Sequence, residues 1–273
     1  MNLVVQGPRL SPEQIAHVAG ARGAERLGAT AIRVCAMAPD EAIRGWCREQ
    51  GLDCAFVPEG RRFADLKLLA MDMDSTLIAI ECIDELGDLA GKQTEISAVT
   101  ASAMRGEIDF SESLRRRVRL LSGMGVDSLE RVYRERLRLS PGAEALTAAC
   151  HRHGVKLLLV SGGFTFFTDR LKARLSLDYT LSNELELSDA KLSGDVVGTI
   201  VDAEAKAKRF REIAHALGAA REQTVAIGDG ANDLKMLAEA GLSVAYRAKP
   251  VVKAKADCAL DFSGLDGVVN LFE

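Results

Sequence analysis

The chain has 273 residues, 48% of them apolar, and a formal charge of −4 from 35 basic and 39 acidic side chains. That apolar content fills the core of one large domain, or of a domain with an appendage, and excludes a disordered chain. The charge balance leaves no basic field for nucleic acid or an anionic membrane, so any anionic substrate has to be held by local groups.

The six cysteines, Cys35, Cys47, Cys54, Cys82, Cys150 and Cys258, lie far apart without zinc-ligand spacing, and are read as free thiols of a reducing compartment. The N-terminus lacks the basic and apolar regions of a signal peptide, and no apolar run approaches the ~18 residues that span a bilayer. A cytoplasmic protein is the expectation.

In chain order, strand-like runs at Leu3 to Val5, Ala31 to Ala36 and Cys54 to Val57 alternate with helical patterns at Ser11 to Ala21 and Asp40 to Gln50. Ser11-Pro12-Glu13-Gln14 opens the first helix with an N-cap serine, a first-turn proline and a capping-box glutamine. Residues 1–62 therefore read as a small β-α-β-α-β unit with Trp46 against its sheet, and it contains no catalytic constellation. Gly60 to Phe63 reads as a linker. The apolar strand ending at Asp72 then begins a second unit, residues 63–273. From Glu81 to about Leu139 the pattern is helical, with a break at Gly123 and Gly125. This helical block after a first strand reads as a cap inserted at about 79–140.

Pro141-Gly142 restarts an α/β rhythm. The run Val155 to Val160 is uninterrupted by polar residues, as in strands covered on both faces, and ends at the turn Ser161-Gly162-Gly163. A hairpin is expected between Tyr179 and Gly198, a helix from about Glu204 to Leu217, and a strand from Thr224 that ends at Gly228-Asp229. Short strands at Leu242 to Ala245 and Cys258 to Leu260 follow. The fold class is α/β, a Rossmann-like, mostly parallel sheet with a helical cap and a small N-terminal α+β domain.

Ligands of such sheets collect at the carboxyl ends of the strands, so the runs ending at Asp72, Ser161 and Asp229 are expected to meet in one crevice. If the strand continues through Asp74, period-two alternation points Asp72 and Asp74 the same way, about 7 Å apart, a spacing that suits a shared ion or proton. Asp72, Asp74, Asp229 and Asp233 together would repel one another unless a divalent cation neutralised them, and Mg²⁺ suits an all-oxygen set. The amides of Gly162 and Gly163 suit an anion, and Lys206 could add a point charge. Lysines such as Lys206 and Lys208 on a polar helix are otherwise usually solvated.

Asp72-Met-Asp-Ser-Thr76, Ser161, Lys206 and Gly228-Asp-Gly-Ala-Asn-Asp233 resemble the motifs of the haloacid dehalogenase superfamily. With Glu81, Leu114-Arg-Arg-Arg-Val118 and Val160-Ser-Gly-Gly-Phe164, the pattern from about Leu66 onward is similar to that of the phosphoserine phosphatases within it. The resemblance implies that Asp72 is the nucleophile and Asp74 the general acid/base. It implies Mg²⁺ held by Asp72, the Asp74 carbonyl and Asp229, with Asp233 in support. It further implies phosphate binding by Ser161, Gly162 and Lys206, and a substrate contact at Asn232. Glu81 and Arg117 would meet the ammonium and carboxylate of serine, with Met104 and Phe110 as apolar walls.

The activity implied is hydrolysis of O-phosphoserine through an aspartyl-phosphate, the terminal step of serine synthesis, by a monomer or homodimer with a mobile cap. The alternatives are phosphoryl transfer to homoserine, another small-molecule phosphatase activity, or an amino-acid-sensing protein on a retired scaffold. The N-terminal unit is only loosely similar to amino-acid-binding ACT modules. Two cap positions can be weighed from helical pattern alone. Arg117 falls inside the apolar stripe of Leu114, Val118 and Leu121, where an arginine needs an anion, whereas Arg115, Arg116 and Arg119 point away. Glu81 falls on an acidic stripe that pattern assigns to solvent.

Overall fold

The computed structural model describes residues 1–273, the side chain of residue 21 excepted. The first unit contains strands β1 (Asn2–Gln6), β2 (Glu25–Arg26), β3 (Ala31–Val34) and β4 (Asp53–Val57), with helices α1 (Pro12–Ala19) and α2 (Glu41–Glu49). The expected capping box forms: the Gln14 amide donates to Ser11 Oγ at 3.2 Å, and the Ser11 amide to Gln14 Oε1 at 2.9 Å. The two-residue β2 has no signature in the sequence pattern. It extends an antiparallel sheet of order β2-β3-β1-β4. Trp46 is half-buried and stacks on His17, with ring centroids 4.1 Å apart.

One face of this sheet, with Leu3, Val5, Ile32 and Phe56, packs on α1 and α2, while Val4, Ala55 and Val57 join the core of the rest of the chain. Polar groups close the same seam. Arg33 donates to the carbonyls of Phe272 and Asn270, and Asp53 accepts from the amides of Asp261 at 2.7 Å and Ser263 at 2.8 Å. The segment expected to be a linker is docked as well: Phe63 is buried edge-on to Phe272, and Arg61 donates to the carbonyls of Glu222 and Gly241.

The second sheet contains β5 (Leu68–Met71), β6 (Lys156–Phe164), β7 (Tyr179–Ser188), β8 (Lys191–Val197), β9 (Thr224–Gly228), β10 (Leu242–Tyr246) and β11 (Cys258–Leu260), in the order β11-β10-β9-β5-β6-β7-β8. It is parallel except for β8, which pairs antiparallel with β7 as the far arm of the expected hairpin. Helices α3 (Cys82–Leu89), α4 (Gln93–Met104), α5 (Phe110–Arg119) and α6 (Val126–Arg131) lie between β5 and β6. The sheet is covered by α7 (Ala143–His153), α8 (Thr165–Leu175), α9 (Ala203–Ala216), α10 (Leu234–Glu239) and α11 (Pro250–Lys253). Leu69 and Met71 point into one core layer, and Leu68 and Ala70 into another with Phe210 and Met236, so the uninterrupted apolar runs are strands buried on both faces.

Because β5 lies between β6 and β9, the chain leaves it on one side to β6 and later returns from β8 to β9 on the other, and the crevice at its carboxyl end is a topological switch point. The helical excursion leaves and returns beside itself: the Ala79 amide donates to Arg138 O at 2.9 Å, and the Ser140 amide to Leu77 O at 2.9 Å. Its far side is tied to the hairpin. Gly123 N donates to Leu192 O and Leu192 N to Met124 O, both at 2.8 Å, and Val126 N donates to Ala190 O at 3.0 Å. Among the described residues no helix is long and apolar enough to cross a membrane.

Candidate active site

Strand β5 stops at Met71, which is in register with Leu159 of β6 and Ile227 of β9. Asp72, Ser161 and Asp229 consequently emerge at one end of the sheet and line one cleft of about 650 Å³. Under its floor lies Lys206 of α9, fully buried, with Nζ 2.8 Å from Asp72 Oδ1 and 2.8 Å from Asp233 Oδ1. Burial by itself would lower the lysine's affinity for its proton, but Asp233 and Asp72 outweigh it and hold the ammonium above its ordinary range. Burial and the charge of Asp233 push the Asp72 carboxyl well up, against the pull of Lys206. Asp229 is pushed up to about 6 by burial and by Asp233.

Asp74 shares the cleft with Asp72 but is held by a turn, not by strand pairing. After Asp72 the chain winds into a wide turn in which Leu77 N and Ile78 N donate to Asp72 O and Met73 O, with Ser75 left-handed at φ 56°. The Asp74 carboxylate is thereby steered away from the acidic cluster. Its Oδ1 accepts from the Cys82 amide at 2.9 Å, and its Oδ2 lies 3.5 Å from Ser161 Oγ. Burial, then the charge of Glu81, raises it to about 7. Strand pairing ends at Met71, yet Asp72 and Asp74 keep extended backbone angles, and both line the one cleft; the turn is made at Ser75.

The turn after Val160 is a bulge in β6, where pairing with β7 shifts between Val160 and Phe164. Gly163 N donates to Ser161 Oγ at 2.8 Å. A Cβ at Gly163 would stand 2.7 Å from Asp74 Oδ2, and one at Gly162 would stand 2.7 Å from Phe110 Cζ, so glycine lets the turn approach both the acid and α5.

The opposite wall comes from the helical excursion. Arg117 is on the inward face of α5, as helical spacing indicates. It makes one long hydrogen bond, to Ser113 O at 3.4 Å, and lines the cleft beside Glu81 and Asp84. Burial lowers its guanidinium from the usual range, while Asp84 and Glu81 pull it back up. Arg115, Arg116 and Arg119 are exposed. Glu81 also faces the cleft, contrary to the solvated reading of its stripe. It is open to solvent at the rim, but enough protein surrounds its carboxyl to push it up, even though it accepts from Ser75 Oγ at 2.7 Å. Phe110 and Asn232 line the same space, and Met104 sits at its mouth, 68% exposed. Ser75 falls inside the Asp72 to Thr76 motif and Asp84 on the acidic stripe of Glu81, but the pattern assigns neither a role, and nothing in local spacing marks Lys249 or Asn183. Tertiary placement puts Asp84 and Lys249 in the cleft wall and Ser75 against Glu81.

Carboxylate oxygens of Asp72, Asp229 and Asp233 lie within 4.8 Å of one another. Burial first, and then the charge of three acids set against the single ammonium of Lys206, makes Asp72 and Asp229 hold their protons tightly. An all-oxygen set of this kind fits a hard divalent cation.

Comparison with known proteins agrees with this geometry. A model of the haloacid dehalogenase-like hydrolases matches residues 69–238. The chain belongs to that family. It is 54% identical over 215 residues to a phosphoserine phosphatase of Polaromonas sp., an alignment covering 77% of this chain and 91% of that one. The unliganded structure of a probable phosphoserine phosphatase from Vibrio cholerae superposes with a TM-score of 0.87 at 41% identity, covering 99% of this chain and 86% of that one. A substrate-bound phosphoserine phosphatase complex superposes with a TM-score of 0.72 at 38% identity, covering 76% and 99%. This hydrolase thus shares its core with proteins named phosphoserine phosphatases, and the resemblance of its sequence to them is borne out beyond the level of the superfamily.

Proposed function

We propose that the chain is a phosphoserine phosphatase, hydrolysing O-phospho-L-serine to L-serine and phosphate. The observation that carries this reading is the pairing of two walls. A buried carboxylate with an ammonium behind it faces, across one cleft, an inward arginine and a glutamate able to receive the carboxylate and ammonium of an amino acid.

In this reading Asp72 attacks phosphorus and becomes an aspartyl-phosphate, while the Ser161 hydroxyl, the Gly162 amide and Lys206 hold the phosphoryl oxygens. Asp74, raised to about 7, is protonated often enough near neutral pH to donate to the leaving serine oxygen. It then takes a proton from the water that releases phosphate. Asp72, Asp229 and the Asp74 carbonyl would hold Mg²⁺, with Asp233 in support, and the ion would supply neutralisation of the cluster and of the phosphate charge. Arg117 and Glu81 orient the serine end, Asn232 contacts the substrate, and Phe110 with Met104 shields it. Residues 1–62 are proposed as an accessory unit appended to a phosphatase unit, 63–273, whose cap spans about 79–140.

Phosphate release from O-phospho-L-serine in the presence of Mg²⁺ tests the reading, against a panel of other phospho-amino acids and sugar phosphates. Asp72→Asn should retain the fold and fall below about 10⁻³ of wild-type turnover. Wild-type preference for a sugar phosphate would refute the substrate, and substantial turnover by the variant would refute the nucleophile.

A further inference from the structure

We infer that Asn183 is a positioning residue for the phosphate site, its one side-chain amide fixing both the turn that carries Ser161 and the approach to the helix that carries Lys206. The inference rests on the phosphatase reading above. Asn183 lies on β7, 3% exposed, opposite the bulge in β6. Its Nδ2 donates to Gly162 O at 2.8 Å, and its Oδ1 accepts from Val201 N at 2.8 Å. Both partners are main-chain groups of fixed sense, one a carbonyl and one an N–H, so only a side chain that donates at one end and accepts at the other satisfies both. An aspartate of the same shape cannot.

Each hydrogen bond leads to a residue of the site. The carbonyl of Gly162 and the N–H of Gly163 belong to the same peptide plane, and that N–H donates to Ser161 Oγ, whose oxygen lies 3.5 Å from Asp74. Holding the plane from the Asn183 side therefore fixes where the serine hydroxyl sits. On the other side, Val201 precedes Asp202, which caps α9 by accepting from Ala205 N at 2.9 Å, and Lys206 follows within the first turns. The cradle and the lysine sit on different elements, and Asn183 bonds to the main chain leading to both. A residue needed only to fill this space would serve as well if it were apolar, as the neighbouring Leu185 of the same strand is.

The experiment measures inorganic phosphate binding by calorimetry and product inhibition by L-serine, both with Mg²⁺, for the wild type, Asn183→Asp, Asn183→Ala and Leu185→Ala. Asn183→Asp should weaken phosphate binding by at least about tenfold, because the Gly162–Gly163 peptide, no longer held, shifts and takes the Ser161 hydroxyl with it, and should leave L-serine inhibition unchanged. Leu185→Ala supplies a destabilised core that leaves the amide intact, and should keep wild-type phosphate affinity under conditions where all proteins are folded. Unchanged phosphate affinity in Asn183→Asp, an equal loss in Leu185→Ala, or parallel loss of both ligands would overturn the inference. If Asn183→Asp does not fold, Asn183→Ala decides by the same criteria. A wild type that binds phosphate but releases none from phosphoserine would defeat the functional reading alone, since the phosphate-binding comparison would still stand.

Discussion

The excess of carboxylates at the cleft floor governs how the cation-free protein responds to pH. Asp229 and Asp74 sit near 6 and near 7 in the folded chain against an ordinary value of 3.8. The folded state therefore binds protons more tightly than the unfolded state does. That contribution to stability is complete below about pH 4 and is lost as pH rises through 6 and 7. In chelator, the melting temperature should carry a downward component between about pH 4 and pH 7. Asp229→Asn should reduce that component, and Mg²⁺ should raise the melting temperature at pH 7 by mass action. Thermal scans across pH for the two proteins check this, and identical slopes would count against it. Arg117 makes a second prediction at this scale. Its inward position means that Arg117→Ala should cost phosphoserine hydrolysis about 10²-fold and hydrolysis of an aryl phosphate far less, so kcat/KM on the two substrates separates the outcomes. Among single residues, strand-end position made Asp72, Ser161 and Asp229 legible, and periodicity did the same for Arg117. Lys206 was not legible by pattern, since it looks as solvated as Lys208 on the same helix. Only the two carboxylates brought beneath β5 by the fold distinguish them.

At the scale of elements, the helical excursion is not one swinging body. Its α5 to α6 corner is strapped to the β7–β8 hairpin by main-chain hydrogen bonds, and its two passages to the core are paired with each other. Helix α4 is held differently: only Ile96 in it is fully buried, and it is flanked by left-handed glycines, Gly91 at φ 66° and Gly106 at φ 75°. Closure over a substrate is therefore expected to fall on α4, whose end carries Met104 at the cleft mouth. Hydrogen exchange should be faster in α4 than in α5, and phosphate with serine should slow α4 selectively. Equal protection of both helices would contradict this. The helices themselves were legible from their apolar spacing. The strap was not, because main-chain hydrogen bonds between a loop and a hairpin leave no trace in side-chain periodicity.

For the whole molecule, the small N-terminal sheet is part of the same packed body. Val4 and Val57 share the main core, and Arg33, 5% exposed, donates to the carbonyls of Phe272 and Asn270. Arg33→Ala should lower stability by about 2 kcal/mol or more, because it leaves buried carbonyls unpaired. Unfolding of the wild type should be a single transition by both fluorescence and circular dichroism. A separate early transition for the first unit would show that the seam is weaker than its contacts imply. The sequence pattern identified two units by their rhythm but treated Gly60 to Phe63 as a mere connection, since docking of Arg61 and Phe63 depends on residues more than 150 positions away.

The fixed direction of Asp74 has a stereochemical consequence. Its carboxylate is anchored by the Cys82 amide and lies beside Ser161, so in the proposed cycle one immobile group serves both the departing alcohol and the arriving water. The two must then occupy the same side of phosphorus in turn, opposite Asp72. Two in-line displacements along one axis invert the phosphorus centre twice. Serine O-phosphorothioate made chiral at phosphorus with oxygen isotopes and hydrolysed in water carrying the third isotope should give thiophosphate of retained configuration, whereas direct attack by water would give the inverted one.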